Sequence, residues 1–171
     1  MHSPIRVQSV GVGVLVLSVF CLSMALYLQV SKDWFPCALC VVKRYFYWFT
    51  GLAGLGVWVL PAGRQVALTR VMLVLGALLA FSGVGIALYH VWVVSNPGQT
   101  CGVDPLQVWL NDLPWASAWW LMFEADGLCS DAYPPLLGLS LPAWSALGFL
   151  SQGLLFCFAW PASRAKRFLE S

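Results

Sequence analysis

The stretch Trp34-Phe35-Pro36-Cys37-Ala38-Leu39-Cys40-Val41-Val42-Lys43-Arg44 sets two cysteines at C-x-x-C spacing against the start of a long apolar run. Proline suits the first turn of a helix, where its missing N–H has no partner to lose, so Pro36 places Cys37 and Cys40 in or beside a first helical turn. The positive end of the helix dipole stabilises a thiolate there, and the thiolate is the species that exchanges disulfides. Arg44 adds a cation. At about 100° per residue it falls ~40° around the helix from Cys40 and ~20° from Cys37, so all three share a face.

Outward from this motif the chain reads as membrane-embedded. Of its 171 residues 60% are hydrophobic and 9% charged, against about 25% charged in soluble domains. One integral membrane domain, 1–171, is expected. The net charge of +2 is too small and dispersed for a nucleic-acid surface. Residues 7–31 carry no Lys, Arg, Asp or Glu, and their core, about 10–30, is long enough to cross a hydrocarbon layer of ~30 Å. A cleaved signal peptide is disfavoured because the apolar run continues through Leu26-Tyr27-Leu28, past the small-residue pattern Ser23-Met24-Ala25. Further spans are expected at about 41–60, 71–94 and 143–160, punctuated by Pro61-Ala62-Gly63, Asn96-Pro97-Gly98 and Pro142.

The expected fold is therefore all-α: a four-transmembrane-helix bundle with two outer loops, about 31–36 and 95–142. The second loop holds a Trp-rich segment, 114–123, that at ~15 Å of helix cannot span and suits the headgroup zone as a short interfacial helix. Gly51, Gly54, Gly56, Gly83 and Gly85 suit close helix packing. Arg6, Arg64, Arg70, Arg164, Lys166 and Arg167 fall at one set of ends, which makes those ends and both termini cytoplasmic. The remaining bases, Lys32, Lys43 and Arg44, all surround the C-x-x-C. A local break in the charge pattern at that place points to function.

This topology puts Cys37, Cys40, Cys101 and Cys129 on the outer, oxidising side. Three pairings are possible, and the C-x-x-C spacing favours Cys37 with Cys40 and Cys101 with Cys129. A two-residue gap restricts the unfolded chain little, so the first pair makes a poor staple, whereas the second would make a useful one. Zinc on four thiols is the weaker alternative, because zinc ribbons use two short knuckles, and no metal is expected. Cys21 and Cys157, within spans, read as small hydrophobes. A disulfide exchanger needs an electron sink, and no flavin, haem or nucleotide motif is present. A lipid-soluble quinone reaching the outer end of the second span would supply one, with Arg44 stabilising negative charge. Lys43 reads as a snorkelling base. His90 reads either as a donor to a quinone oxygen or as a hydrated interfacial histidine.

Together, Pro36-Cys37-Ala38-Leu39-Cys40 with Arg44 four residues on, Tyr89-His90, Cys101 and Cys129 in one loop, and Gly138-Leu139-Ser140-Leu141-Pro142-Ala143-Trp144 resemble the disulfide bond formation protein B (DsbB) family of bacterial inner-membrane quinone reductases. The resemblance implies redox loops in the periplasm, a DsbA-like thioredoxin-fold oxidase as protein partner, and ubiquinone or menaquinone as electron acceptor. It further implies that Cys101 forms the mixed disulfide with the partner and that Cys129 receives attack from the membrane-proximal pair. Cys37 would shuttle between loops, Cys40 would meet the quinone and Arg44 would bind it. Lys43 departs from the family's best-known member, which has an acid there. A vitamin K epoxide reductase-like enzyme ranks second, because its C-x-x-C lies near its last core helix. A non-catalytic scaffold with disulfide-stapled loops is the alternative from another class.

Overall fold

The apolar runs fold as helices in a computed structural model that describes residues 5–60, 66–96, 103–130 and 133–164. In chain order the elements are α1 (Ile5–Lys32), α2 (Ala38–Val59), α3 (Val66–Ser95), α4 (Val103–Asn111), α5 (Pro114–Ala118), α6 (Trp120–Phe123) and α7 (Leu141–Arg164). Among the described residues three helical stretches are long and apolar enough to cross a membrane: Val7–Lys32, Val66–Ser95 and Leu141–Trp160. The fourth long helix, α2, has 22 residues. That is ~33 Å of helix. Its first turns carry Lys43 and Arg44, and it packs against both α1 and α3. The chain is an all-helical membrane protein. Phe20, Leu52, Leu78 and Phe158 point outward from the bundle, as side chains facing lipid do.

Small residues let the helices close up. A Cβ on Gly54 would stand 2.9 Å from the Gly11 carbonyl oxygen, so the α1–α2 crossing needs glycine on both sides. Between α3 and α7, Gly76 and Gly83 receive the rings of Phe156 and Phe149, both fully buried. Phe149 in turn stacks on Tyr47 of α2, with ring centroids 4.0 Å apart. Gly85, expected to pack, faces open space instead. Its neighbour two residues back holds the interface. A Cβ at Gly83 would lie 2.7 Å from the Phe149 ring, and overpacking of this kind costs about 1–3 kcal/mol. Gly83→Val is accordingly expected to lower the thermal midpoint in detergent, and adding Phe149→Leu to recover part of the loss.

The outer loop departs from expectation in two places. Segment 114–123 is two short helices, α5 and α6, broken at Trp119 (φ −128, ψ 49). An additional helix, α4, precedes them. Its Gln107 and Asn111 side chains donate to the Ala125 carbonyl at 2.8 and 3.0 Å, and the Ala125 N–H donates to Asn111 Oδ1 at 2.9 Å. These bonds clamp the chain at Ala125, just after α6, against α4. Trp109, Trp115, Trp119 and Trp120 remain exposed, consistent with a headgroup-level surface. Cys101, Arg64, Lys166, Arg167 and the breaker Pro97-Gly98 lie outside the described residues.

Candidate functional site

The helix bearing the C-x-x-C starts at Ala38, two residues after Pro36. Cys37 is its N-cap, with extended backbone, and Cys37 Sγ accepts from the Cys40 N–H at 3.4 Å. A cysteine thus takes the place that serine or aspartate usually fills. Cys37 and Cys40 are free thiols, and Cys37 Sγ donates to Cys40 Sγ at 3.0 Å. This shared proton holds Cys40 well below the ordinary thiol range; burial opposes the shift, and the fields of Lys43 and His90 add to it. The same proton, with burial, lifts Cys37 well above that range. The two thiols are therefore unequal, with Cys40 the thiolate.

Residues far away in sequence complete the site. The Pro36 carbonyl accepts from the Asp126 and Gly127 N–H groups at 3.0 and 3.1 Å, so the second outer loop docks on the motif itself. Gly127 is required there, because any Cβ would collide with the Phe35 carbonyl. Tyr133 donates to the Phe35 carbonyl at 2.8 Å and stacks on Trp34. This docking brings Cys129, which is disulfide-bonded, into one buried cluster with Cys37, Leu39 and Val93, and Cys40 packs against it.

His90 sits over this cluster, and its tautomer follows from its partners. Lys43 Nζ lies 2.9 Å from Nδ1, and the Cys129 carbonyl oxygen lies 3.3 Å from Nε2. An ammonium can only donate and a carbonyl can only accept, so Nδ1 is the acceptor and Nε2 carries the ring proton. Nε2 is also 3.7 Å from Cys37 Sγ. Lys43, expected to snorkel, is instead 5% exposed and points inward. The histidine lone pair gives a buried ammonium a partner, which a lysine at that depth requires.

Arg44 is equally buried and forks between elements. Its Nη2 donates to Gln29 Oε1 at 2.8 Å, and its Nη1 donates to the Leu121 and Met122 carbonyls, each at 3.0 Å. One side chain thereby ties α1 and α6 to α2. Sequence reading missed Gln29, although a glutamine in an otherwise apolar span signals a buried partner.

Arg44, Lys43, His90, Cys37 and Cys40 all line a cavity of about 410 Å³ between α1, α2, the end of α3, the start of α7 and the outer loops. Its walls are mainly apolar, including Leu28, Leu128 and Tyr47, and Cys21 also reaches it. Cys21 is thus a cavity residue, whereas Cys157 is exposed on α7. The apolar walls and the few polar heads at one end suit a hydrophobic ring whose oxygens need donors. Of the residues singled out from sequence, Cys37, Cys40, Arg44 and His90 line this cavity, and Cys129 packs in the buried cluster with Cys37 beside it.

Comparison with known proteins matches the chain to a family. Residues 8–159 match the family described as disulfide bond formation protein DsbB. The chain is 43% identical to disulfide bond formation protein B of Cupriavidus necator over 124 residues, which is 72% of this chain and 74% of that protein. It is 38% identical to disulfide bond formation protein B 1 of Pseudomonas putida over 142 residues, covering 81% of this chain and 83% of that one. With disulfide bond formation protein B of Herminiimonas arsenicoxydans it shares 36% over 133 residues, covering 78% and 82%. The chain, an oxidoreductase of the membrane, belongs to the disulfide bond formation protein DsbB family.

Proposed function

We propose that the protein takes two electrons from a reduced DsbA-like protein through Cys101 and Cys129, passes them to Cys37 and Cys40, and delivers them to a membrane quinone beside Arg44. One observation supports the reading above others. Cys37 shares a buried cluster with Cys129, while its partner Cys40 lines the cavity that also holds Arg44. The direction of electron flow makes a reduced Cys129 sulfur the attacker of the Cys37–Cys40 disulfide, the reverse of the sense carried over from the resemblance. A Cys129–Cys37 bond forms and Cys40 leaves as a thiolate. Attack by Cys101 then restores the outer disulfide and frees Cys37 as a thiol. Free Cys37 and Cys40 beside a disulfide-bonded Cys129 correspond to that state.

The quinone, when bound, supplies an acceptor for two electrons and two protons. Gln29 and the two backbone carbonyls orient the Arg44 guanidinium toward the cavity, and His90 holds the thiol pair against the outer loop. A DsbA-like partner poised near about −120 mV is hard for ordinary dithiols to reoxidise, since every ~30 mV amounts to about 1.4 kcal/mol. Two pairs in series let one loop meet a soluble protein while the other stays at the lipid. The whole chain acts as one domain with four spans, both termini cytoplasmic and the cysteine loops periplasmic in the bacterial inner membrane. The direct test is quinone reduction by the purified protein supplied with a reduced thioredoxin-fold donor. Reduction of ubiquinone-1 or a short-chain menaquinone is expected; failure with both would refute the reading.

The unequal thiols give a pH prediction. Because the Cys40 pKa is depressed, Cys40 stays ionised as pH falls below the ordinary thiol value of about 8.5 and loses reactivity only once pH drops through its own lower value. Cys37 shows the opposite sign and becomes reactive only in alkali. Iodoacetamide labelling read by peptide mapping is expected to modify Cys40 first at neutral pH. Lys43→Met, which removes one field holding the thiolate, should move the Cys40 profile upward.

A further inference from the structure

Cys37 Sγ, Cys40 Sγ and a ring nitrogen of His90 lie within 4.8 Å of one another, a cluster with the donor types of a metal site. The hydrogen bonds decide which of the three can donate to a metal. Lys43 occupies the Nδ1 lone pair, and Nε2, the nitrogen facing Cys37, carries the ring proton that points at the Cys129 carbonyl. The face of His90 turned to the thiols is therefore a donor of hydrogen, without a free lone pair. Two sulfurs remain.

Charge then separates the candidate ions. Two thiolates with a dication make a neutral unit, which gains nothing from the buried cations Lys43 and Arg44 and still lacks the third and fourth ligands that zinc requires. Two thiolates with a monocation leave one negative charge, and the Lys43 ammonium lies on the far side of the His90 ring to balance it. Soft sulfur donors in low coordination number select Cu(I). We propose that the reduced Cys37–Cys40 pair is a two-sulfur Cu(I) site, with Lys43 as its counter-charge and His90 beside the metal without ligating it.

Binding forms two Cu–S bonds, breaks the Cys37 S–H bond whose proton Cys40, already a thiolate, shares, and releases that one proton, with no change in oxidation state. Metal–sulfur bonds of about 2.3 Å allow the sulfurs to stand as much as ~4.6 Å apart. From their 3.0 Å separation they must widen, and Cys40 has room because its side chain borders the cavity. Occupancy removes both thiols from disulfide exchange, so Cu(I) would arrest the proposed relay in its dithiol state. The inference rests on that relay only in requiring the pair to cycle through free thiols.

The test is competition for Cu(I) between the full-length, fully reduced protein in detergent and the chromophoric ligand bicinchoninate, with Zn²⁺ competition against a zinc dye in parallel. The Cys37→Ser and Cys40→Ser proteins are each expected to hold one Cu(I) fewer than the wild type. Lys43→Met should weaken that site tenfold or more, and His90→Ala should change it less than about threefold. X-ray absorption of the Cu(I)-loaded wild type, which needs no variant to fold, should show two sulfur scatterers and no nitrogen. A nitrogen ligand, His90-dependent Zn²⁺ binding as tight as that of Cu(I), or unchanged Cu(I) stoichiometry in both serine variants would each overturn the proposal. These readouts do not involve quinone, so a protein that binds Cu(I) but reduces no quinone would sink the relay and leave this site standing.

Discussion

Replacing Cys40 with serine is expected to abolish quinone reduction while leaving the fold intact. A hydroxyl cannot form the Cys37–Cys40 bond, so no oxidising equivalent can be stored beside the cavity, and turnover should fall to the uncatalysed background. The side-chain volume hardly changes, and a serine oxygen still accepts from Cys37 across the 3.0 Å gap that the two sulfurs now span. Helicity and thermal midpoint should therefore stay near those of the wild type, within the ±0.5 kcal/mol typical of sites without cavities or lost partners. Failure is also expected to leave a trace. Cys129 attack on Cys37 needs an inner disulfide as its target, so an outer pair reduced by the donor has no acceptor and should accumulate as thiols in the variant. Non-reducing gels after alkylation would show it. Wild-type turnover in Cys40→Ser would remove Cys40 from the electron path and with it the reason for placing a quinone in this cavity.

What the sequence disclosed and what it concealed follow from range. The long helices were legible because lipid imposes a long apolar run on a crossing segment, and the C-x-x-C with Arg44 was legible because all three residues lie within eight positions at the head of one helix. Lys43 was misread for a physical reason. Its position off the cysteine face of α2 looks like lipid or water until α3 delivers His90 from 47 residues away. Gln29 and the two carbonyls on Arg44 are likewise matters of tertiary contact. The docking of Gly127 onto Pro36 leaves no local pattern, since one glycine in a loop has many uses. Helix α4 was missed because Pro105 and Asp104 within 103–111 resemble turn chemistry, whereas its stabilisation comes from the clamp on Ala125. The break at Trp119 hides inside a continuous apolar run.

Arg44→Met is expected to raise the apparent Michaelis constant for quinone by roughly tenfold to a hundredfold, the equivalent of one charge-assisted hydrogen bond of about 1.5–3 kcal/mol. A second effect is expected with it, because the guanidinium is also structural. Without it the buried Gln29 amide and the Leu121 and Met122 carbonyls lose their donor, and leaving a buried acceptor bare costs about 1–3 kcal/mol. Arg44→Lys separates the two roles. Lysine keeps the charge at the cavity, but a single ammonium cannot reach α1 and α6 with the geometry of a planar fork. The lysine variant should therefore lie between wild type and Arg44→Met in quinone affinity, while its thermal midpoint falls nearly as far as that of the methionine variant. Adding quinone tests the separation further: a bound ligand stabilises by RT ln(1 + L/Kd), where L is the free ligand concentration, so at one concentration the tighter binder gains more. The same quinone concentration should thus stabilise the lysine variant more than the methionine variant. Equal Michaelis constants for all three proteins, with only the midpoint changed, would make Arg44 a brace between helices and remove it from the quinone site.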